Sequence, residues 1–284
     1  MSELNSRAGE IDVPWNLIIP EADIYLVGYG MRMPNDFTLE MLAVLKRCQR
    51  IFAVPPINAP EFGIPRMENL LHFYAPDKNR HKTYREMLEL ILDAAAEDAP
   101  VALATYGSAM VGTFVAHRIL EEAPERGLTV HVTNAVSSFD GIWADLNIEP
   151  FYGFEIWEAT AFVKLEIQPD PRVNLLLPQA PIFGVAKGPD ISRLTMETSS
   201  TLVDLRDYLL RFYPPEHRVH FIKTGSGAGP RSVGPAIETL PLAELHRSGR
   251  NQGSTLLVPR MDSGEELNFR QPAAATEMPA VAAG

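Results

Sequence analysis

The run Val101-Ala102-Leu103-Ala104-Thr105, opened by Pro100, constrains the fold more than any other stretch of the chain. It shows no apolar–polar alternation, so a strand built from it must be covered on both faces, as happens inside parallel sheets. Segments of helical period flank it. Tyr84, Met87, Leu88 and Ile91 mark a buried helix face over Arg80 to Ala96, and Val111 to Leu120 reads as a second helix. The same alternation begins earlier, with a strand at Ile24 to Val27, the turn Gly28-Tyr29-Gly30, and a helix carrying Phe37, Leu39, Met41, Leu42, Val44 and Leu45. Further strands are expected at Ile51 to Val54, Leu70 to Phe73 and Leu128 to Thr133, with a helix over Ser137 to Leu146. Strands alternating with helices predict an α/β fold with right-handed crossovers.

A composition change at Gln168-Pro169-Asp170-Pro171 marks an expected boundary. The reading is therefore an N-terminal arm over 1–20, an α/β domain over 21–168, a second over 169–261, and a loose tail over 262–284 that is too poor in large apolar residues to order itself. Within the second domain, strands are expected at Val173 to Leu177, Arg218 to Lys223 and Ser254 to Pro259. Helices are expected over Ser192 to Phe212 and Leu240 to Leu245, and Gly225 to Pro230 reads as a flexible loop. With 284 residues and 46% hydrophobic content, the chain has material for a sizeable core. A formal net charge of -11, without a basic stripe, argues against nucleic acid as a partner. Cys48 is the only cysteine, which excludes an internal disulfide and any multi-cysteine metal site and fits a cytoplasmic protein. No secretion signal or membrane-spanning run is evident, the seven histidines show no metal spacing, and no metal is expected.

The chemistry-bearing feature is the segment Phe73 to Tyr84. Arg80 and Tyr84 stand one helical turn apart, so they share a face. A cation beside a phenol favours the phenolate and can also polarise a carbonyl, a combination suited to an amide proton. Spacing alone favours the plainer reading, a solvated arginine beside a tyrosine packed on the helix face. Ser137-Ser138 reads most simply as a helix cap, and Tyr106-Gly107-Ser108 as a turn leaving a strand. Loops at the carboxyl ends of strands are, however, where open α/β sheets bind ligands.

Taken in order, these segments resemble the tetrapyrrole methylase superfamily. Ile24 to Cys48 is similar to its opening strand, glycine loop and helix; Val101 to Ile119 to its second cofactor loop; Val130 to Ile148 to its third; and Leu240 to Pro259 to its closing segment. The resemblance implies two α/β domains with a cleft for S-adenosylmethionine between them. Within the superfamily, Tyr74, the Lys-x-Arg-x-x-Thr-Tyr spacing ending at Tyr84, and Tyr106-Gly107 look like borosin α-N-methyltransferases, which methylate backbone amides of a ribosomally made precursor peptide. That implies catalytic roles for Arg80 and Tyr84, with Tyr74 and Tyr106 lining the same site. The implied cofactor contacts are Gly28, Gly30, Tyr106, Ser108, Val111, Ser137, Ser138, Gln179, Ser254 and Thr255.

Fungal borosin enzymes carry a clasp and their substrate peptide on the same chain, whereas this chain is too short for both. The resemblance thus implies a precursor peptide supplied as a separate chain, and a homodimer. The first loop reads Gly28-Tyr29-Gly30-Met31-Arg32-Met33 where tetrapyrrole methylases usually read Gly-x-Gly-Pro-Gly-Asp, which argues against a tetrapyrrole acceptor. A methylase of a tetrapyrrole or other small molecule, and a catalytically silent peptide- or cofactor-binding protein, remain the alternatives.

Overall fold

The computed structural model describes residues 17–187, 202–228, 233–249 and 253–261. Its first part runs β1 (Ile24–Gly28), β2 (Arg32–Met33), α1 (Leu39–Arg47), β3 (Arg50–Val54), β4 (Glu68–Asn69), α2 (Arg80–Asp98), β5 (Val101–Thr105), α3 (Phe114–Glu122), β6 (Val130–Val132) and α4 (Ser138–Leu146). There follow β7 (Phe154–Ile156), α5 (Ala159–Lys164), β8 (Asn174–Leu177), α6 (Leu202–Leu209), β9 (Arg218–Lys223), β10 (Gly227–Ala228), β11 (Ala236–Pro241) and β12 (Thr255–Val258).

The first sheet is parallel, in the order β4-β3-β5-β1-β6. Both faces are covered, which is why β5 lacks alternation. Ile24, Leu26, Val101 and Leu103 pack on Met87, Leu88 and Ile91 of α2 and on Val115 and Ile119 of α3. The intervening Tyr25, Val27, Ala102 and Ala104 pack on Met41, Val44 and Leu45 of α1. Thr38 caps α1 by accepting from the Met41 N–H, and Asn79 caps α2 by accepting from that of His81. α2 stops at Asp98 because Ala99 precedes Pro100 and turns extended.

The second sheet is mixed, ordered β11-β9-β12-β8-β7. One face buries Leu175, Leu177, Phe221, Leu256 and Val258 beneath α5 and α6. Its other face receives α4, whose Ile142 and Leu146 pack on Leu176, Ile222 and Leu257. This approach is close: a Cβ on Gly141 would lie 2.0 Å from Thr224 Oγ1, which itself donates to Asp145 Oδ2 at 2.7 Å. A two-stranded parallel ladder, β10 on β2, ties the parts a second time.

Several expectations are corrected. Leu70–Phe73 is a 3-10 turn and not a strand, because the Asn69 side chain accepts from the Leu71 N–H at 2.9 Å and starts a helical turn; only Glu68–Asn69 pairs with β3. The helix after β5 begins at Phe114, since Gly112 adopts a left-handed φ of 70° that breaks any helix through it. Leu240 and Pro241 end β11, and the turn after them, Leu242–Arg247, is 3-10. Gly227–Ala228, expected in a loop, pairs as a strand. The strands β7 and β11 were not anticipated, and because β7 joins the second sheet, that sheet starts before the expected boundary at 168/169. The 262–284 tail, most of the 1–20 arm, and the first part of the expected Ser192–Phe212 helix lie outside the described residues.

Candidate active site

α2 fixes the orientation of the two residues that the sequence placed one turn apart. Arg80 is its first residue, half-buried; its N–H donates to Ala186 O at 3.2 Å and its Nη2 to the Val185 carbonyl. A segment from beyond β8 therefore holds the guanidinium. One turn on, Tyr84 lies flat against Phe114 of α3, with ring centroids 5.4 Å apart and 28° between planes. Tyr74 meets Tyr84 edge to face at 6.2 Å. His81 closes the cluster, edge-on to Phe114 at 5.5 Å.

Tyr74 is pushed above the usual phenol range, by burial first and then by repulsion from Tyr84 and a hydrogen bond shared with it, while the Arg80 cation pulls the other way. Tyr106, the residue after β5, is also raised, by burial and then by Tyr84, although 60% of its surface is open. Tyr84, Tyr106 and Arg80 thus all act on the ionisation of Tyr74, and the structure brings the four into one electrostatic neighbourhood.

The expected cofactor residues divide. Gly28 and Gly30 serve packing between loops: a Cβ on Gly28 would lie 2.3 Å from Gly107 O, and one on Gly30, whose φ is +76°, 2.2 Å from Asp36 Cβ. Gly30 and Gly107 exchange backbone hydrogen bonds at 3.2 and 2.8 Å. Ser137 is committed to a capping box on α4, donating to Asp140 Oδ2 at 2.6 Å while accepting from the Asp140 N–H, and Ser138 is the first helical residue. Ser108 forms a turn in which its Oγ accepts from the Met110 N–H at 3.3 Å, and Val111 is exposed beside it. Gln179, exposed, holds a left-handed φ of 62° and puts Nε2 within 3.9 Å of the Cβ position of Gly112. It thereby faces the loop after β5 from the other sheet. Thr255, the first residue of β12, and Ser254 just before it are buried.

Two residues escaped sequence reasoning. Thr105, at the carboxyl end of β5, buries a hydroxyl oxygen that has no hydrogen-bond partner among the described residues, a costly state for a polar atom. Phe114 was missed as well; its only signal was an aromatic residue opening a helix after the Tyr106 loop. An orphaned hydroxyl, exposed Gln179, and backbone left uncovered at Gly112 collect at the carboxyl ends of the parallel strands, where α/β sheets bind ligands. These residues fit a polar cofactor of the kind the resemblance implies. Among the described residues, no group of three or more His, Cys, Asp or Glu is placed to hold a metal, and no helix is long and apolar enough to cross a membrane.

Comparison with known proteins agrees with this architecture. A crystal structure of uroporphyrin-III C-methyltransferase from Thermus thermophilus superposes with a TM-score of 0.55 at 19% identity, covering 84% of this chain and 91% of that one. A structure of a uroporphyrin-III C-methyltransferase from the same organism, complexed with S-adenyl homocysteine, gives 0.53 at 18% identity, covering 82% and 95%. At that identity, the likeness establishes the fold. Among curated proteins, a methyltransferase/ribosomally synthesized type I borosin cyclic peptide precursor of Serendipita vermifera is 26% identical over 84% of this chain and 59% of its own length. A type II borosin precursor of Phlebiopsis gigantea is 27% identical over 86% of this chain and 44% of its own. The chain thus spans about half the length of these relatives. The sequence profile of the family described as Tetrapyrrole (Corrin/Porphyrin) Methylases matches residues 23–240, and with the two-sheet architecture already in view, this match makes the chain a member of that family.

Proposed function

We propose that the protein transfers methyl groups from S-adenosylmethionine to backbone amide nitrogens of a peptide. The observation that carries this reading is the convergence of Arg80, Tyr84, Tyr74 and Tyr106 on one spot beside the loop that follows β5. Tyr106, Ser108, Val111, Gln179, Ser254 and Thr255 would hold the cofactor, with Gly28, Gly30, Ser137 and Ser138 shaping the loops around it. When bound, S-adenosylmethionine supplies an electrophilic methyl group.

The acceptor nitrogen is the difficult partner, because resonance commits its lone pair to the carbonyl. Tyr84, acting as its phenolate, takes the amide proton and becomes the neutral phenol. Arg80 stabilises the negative charge that moves to the acceptor's carbonyl oxygen, an electrostatic effect that is strongest in a site closed to water. The guanidinium carries five donors, so the bond from Nη2 to the Val185 carbonyl tethers it and leaves others for the acceptor. Tyr74 and Tyr106, both raised above the ordinary phenol range, stay protonated at neutral pH and hold the acceptor as hydrogen-bond donors. Relatives whose names join methyltransferase and borosin peptide precursor support a peptide acceptor.

The test is intact mass after incubation with cofactor and a candidate precursor peptide supplied as a separate chain, with fragmentation to locate each methyl. Methyls on main-chain nitrogens support the reading. Transfer to a tetrapyrrole in a parallel reaction, with every peptide unchanged, would replace it by the acceptor of the family's name. Cofactor binding without transfer to either would favour a silent binding protein. The resemblance also points to a homodimer, which light scattering on the purified chain would establish or exclude.

A further inference from the structure

We propose that Lys78 and Thr83 are positioning residues that lock the Tyr74 ring in the frame of α2, beside Tyr84. The proposal rests on the reading of Tyr74 as part of the acceptor site. Two side chains converge on one backbone oxygen: the Phe73 carbonyl accepts from Lys78 Nζ at 2.9 Å and from Thr83 Oγ1 at 3.3 Å. The N–H of the same peptide unit, that of Tyr74, donates to Leu71 O at 3.1 Å. A peptide unit is planar, so holding its oxygen on one side and its hydrogen on the other prevents it from rotating. The direction in which the Tyr74 side chain leaves the backbone is fixed with it.

One donor, Thr83, belongs to the helix that carries the other half of the site, and the other, Lys78, is tied to that helix by an ion pair. Thr83, fully buried, precedes Tyr84 directly in α2. Lys78 lies outside the helix but is ion-paired with Glu86 of α2, and its side chain is only 19% exposed, resting 5.8 Å from the Phe73 ring centre. The Tyr74–Tyr84 contact is therefore set by one rigid element, although ten residues of sequence separate the two rings. Misplacing a reacting group by about 1 Å costs on the order of 10²-fold in rate, so a fixture of this kind matters for turnover.

The experiment compares Lys78→Met, Thr83→Val and Lys78→Arg in the full chain, each alone and combined with Tyr74→Phe. The first readout needs no turnover: with ring-labelled tyrosine, the Tyr74 resonance is assigned by its loss in Tyr74→Phe. It should move or broaden in Lys78→Met and Thr83→Val and return in Lys78→Arg, which can still donate to the carbonyl and pair with Glu86. The second is kcat with peptide. A fall of about 10- to 100-fold is expected, with cofactor affinity and melting temperature little changed, and no further fall when the same changes are made in Tyr74→Phe. An unmoved Tyr74 signal overturns the proposal, as do losses of equal size in both backgrounds, which would mark Lys78 and Thr83 as supports of something else. A moved signal in an enzyme inert toward every peptide would uphold the positioning and remove the proposed function instead.

Discussion

Tyr74 and Tyr84 meet edge to face, with ring centroids 6.2 Å apart and 84° between their planes, at the mouth of α2. The two rings are not independent: after burial, Tyr84 is among the groups that hold Tyr74 above the usual phenol range.

Replacing Tyr84 by Phe should keep the stacking on Phe114 and remove the proton acceptor. Transfer is expected to fall by about 10²- to 10⁴-fold, the usual size of a general-base contribution. Cofactor affinity by calorimetry should be unchanged. Full activity of Tyr84→Phe would remove the base from the mechanism.

Asp36 predicts an acid limit to stability. Its side chain is almost fully buried; burial pushes the carboxyl up, but donation from the Arg32 side chain and from the Arg32 and Met31 N–H groups outweighs that and holds it below the usual carboxylate range. The folded value lies below the unfolded one, so the stabilisation is complete above the unfolded value of about 4 and disappears as pH falls through the folded value. Asp36→Asn should cost about 1.5 to 3 kcal/mol at pH 7, and denaturant melts at pH 7 and pH 3 should show the difference between the two proteins shrinking in acid.

Gly141→Ala should loosen α4 from β9, because the added methyl group would sit 2.0 Å from Thr224 Oγ1. Overpacking of this kind costs about 1 to 3 kcal/mol. Adding Thr224→Ala should recover part of the loss. A Gly141→Ala protein as stable as the original would show that the helix can shift without penalty.

Gln179→Gly tests the left-handed residue. The strain at φ 62° is relieved, while the flexibility of glycine in the unfolded chain offsets the gain, so the melting temperature should stay within about 2 °C. Cofactor affinity should fall by about tenfold, the worth of one hydrogen bond. Unchanged affinity would take Gln179 out of the cofactor site.

The elements legible in the sequence are those whose period exceeds their length of ambiguity. β1 and β5 were visible because all their residues are buried, and α2 because its apolar positions recur over several turns. β7 and β11 were not, since half-buried strands at a sheet's margins carry no clear alternation. Leu70–Phe73 looked like a strand because a short apolar run has no period of its own; the Asn69 cap decided it. In the site, helical spacing gave Arg80 beside Tyr84, whereas the approach of Tyr74 depends on how the turn from Ala75 to Asn79 folds back, which spacing does not encode. The resemblance put Ser137 among the cofactor contacts, and its hydroxyl sits in a capping box, the use that the sequence pattern by itself favours.

α4 follows the last strand of the first sheet yet buries Ile142 and Leu146 against the second. Severing the chain between Asn147 and Gly153 would leave one fragment with an uncovered greasy helix and the other with a bare sheet face. Neither piece could be grafted into another enzyme as a ready-made module; the two would have to be exchanged together.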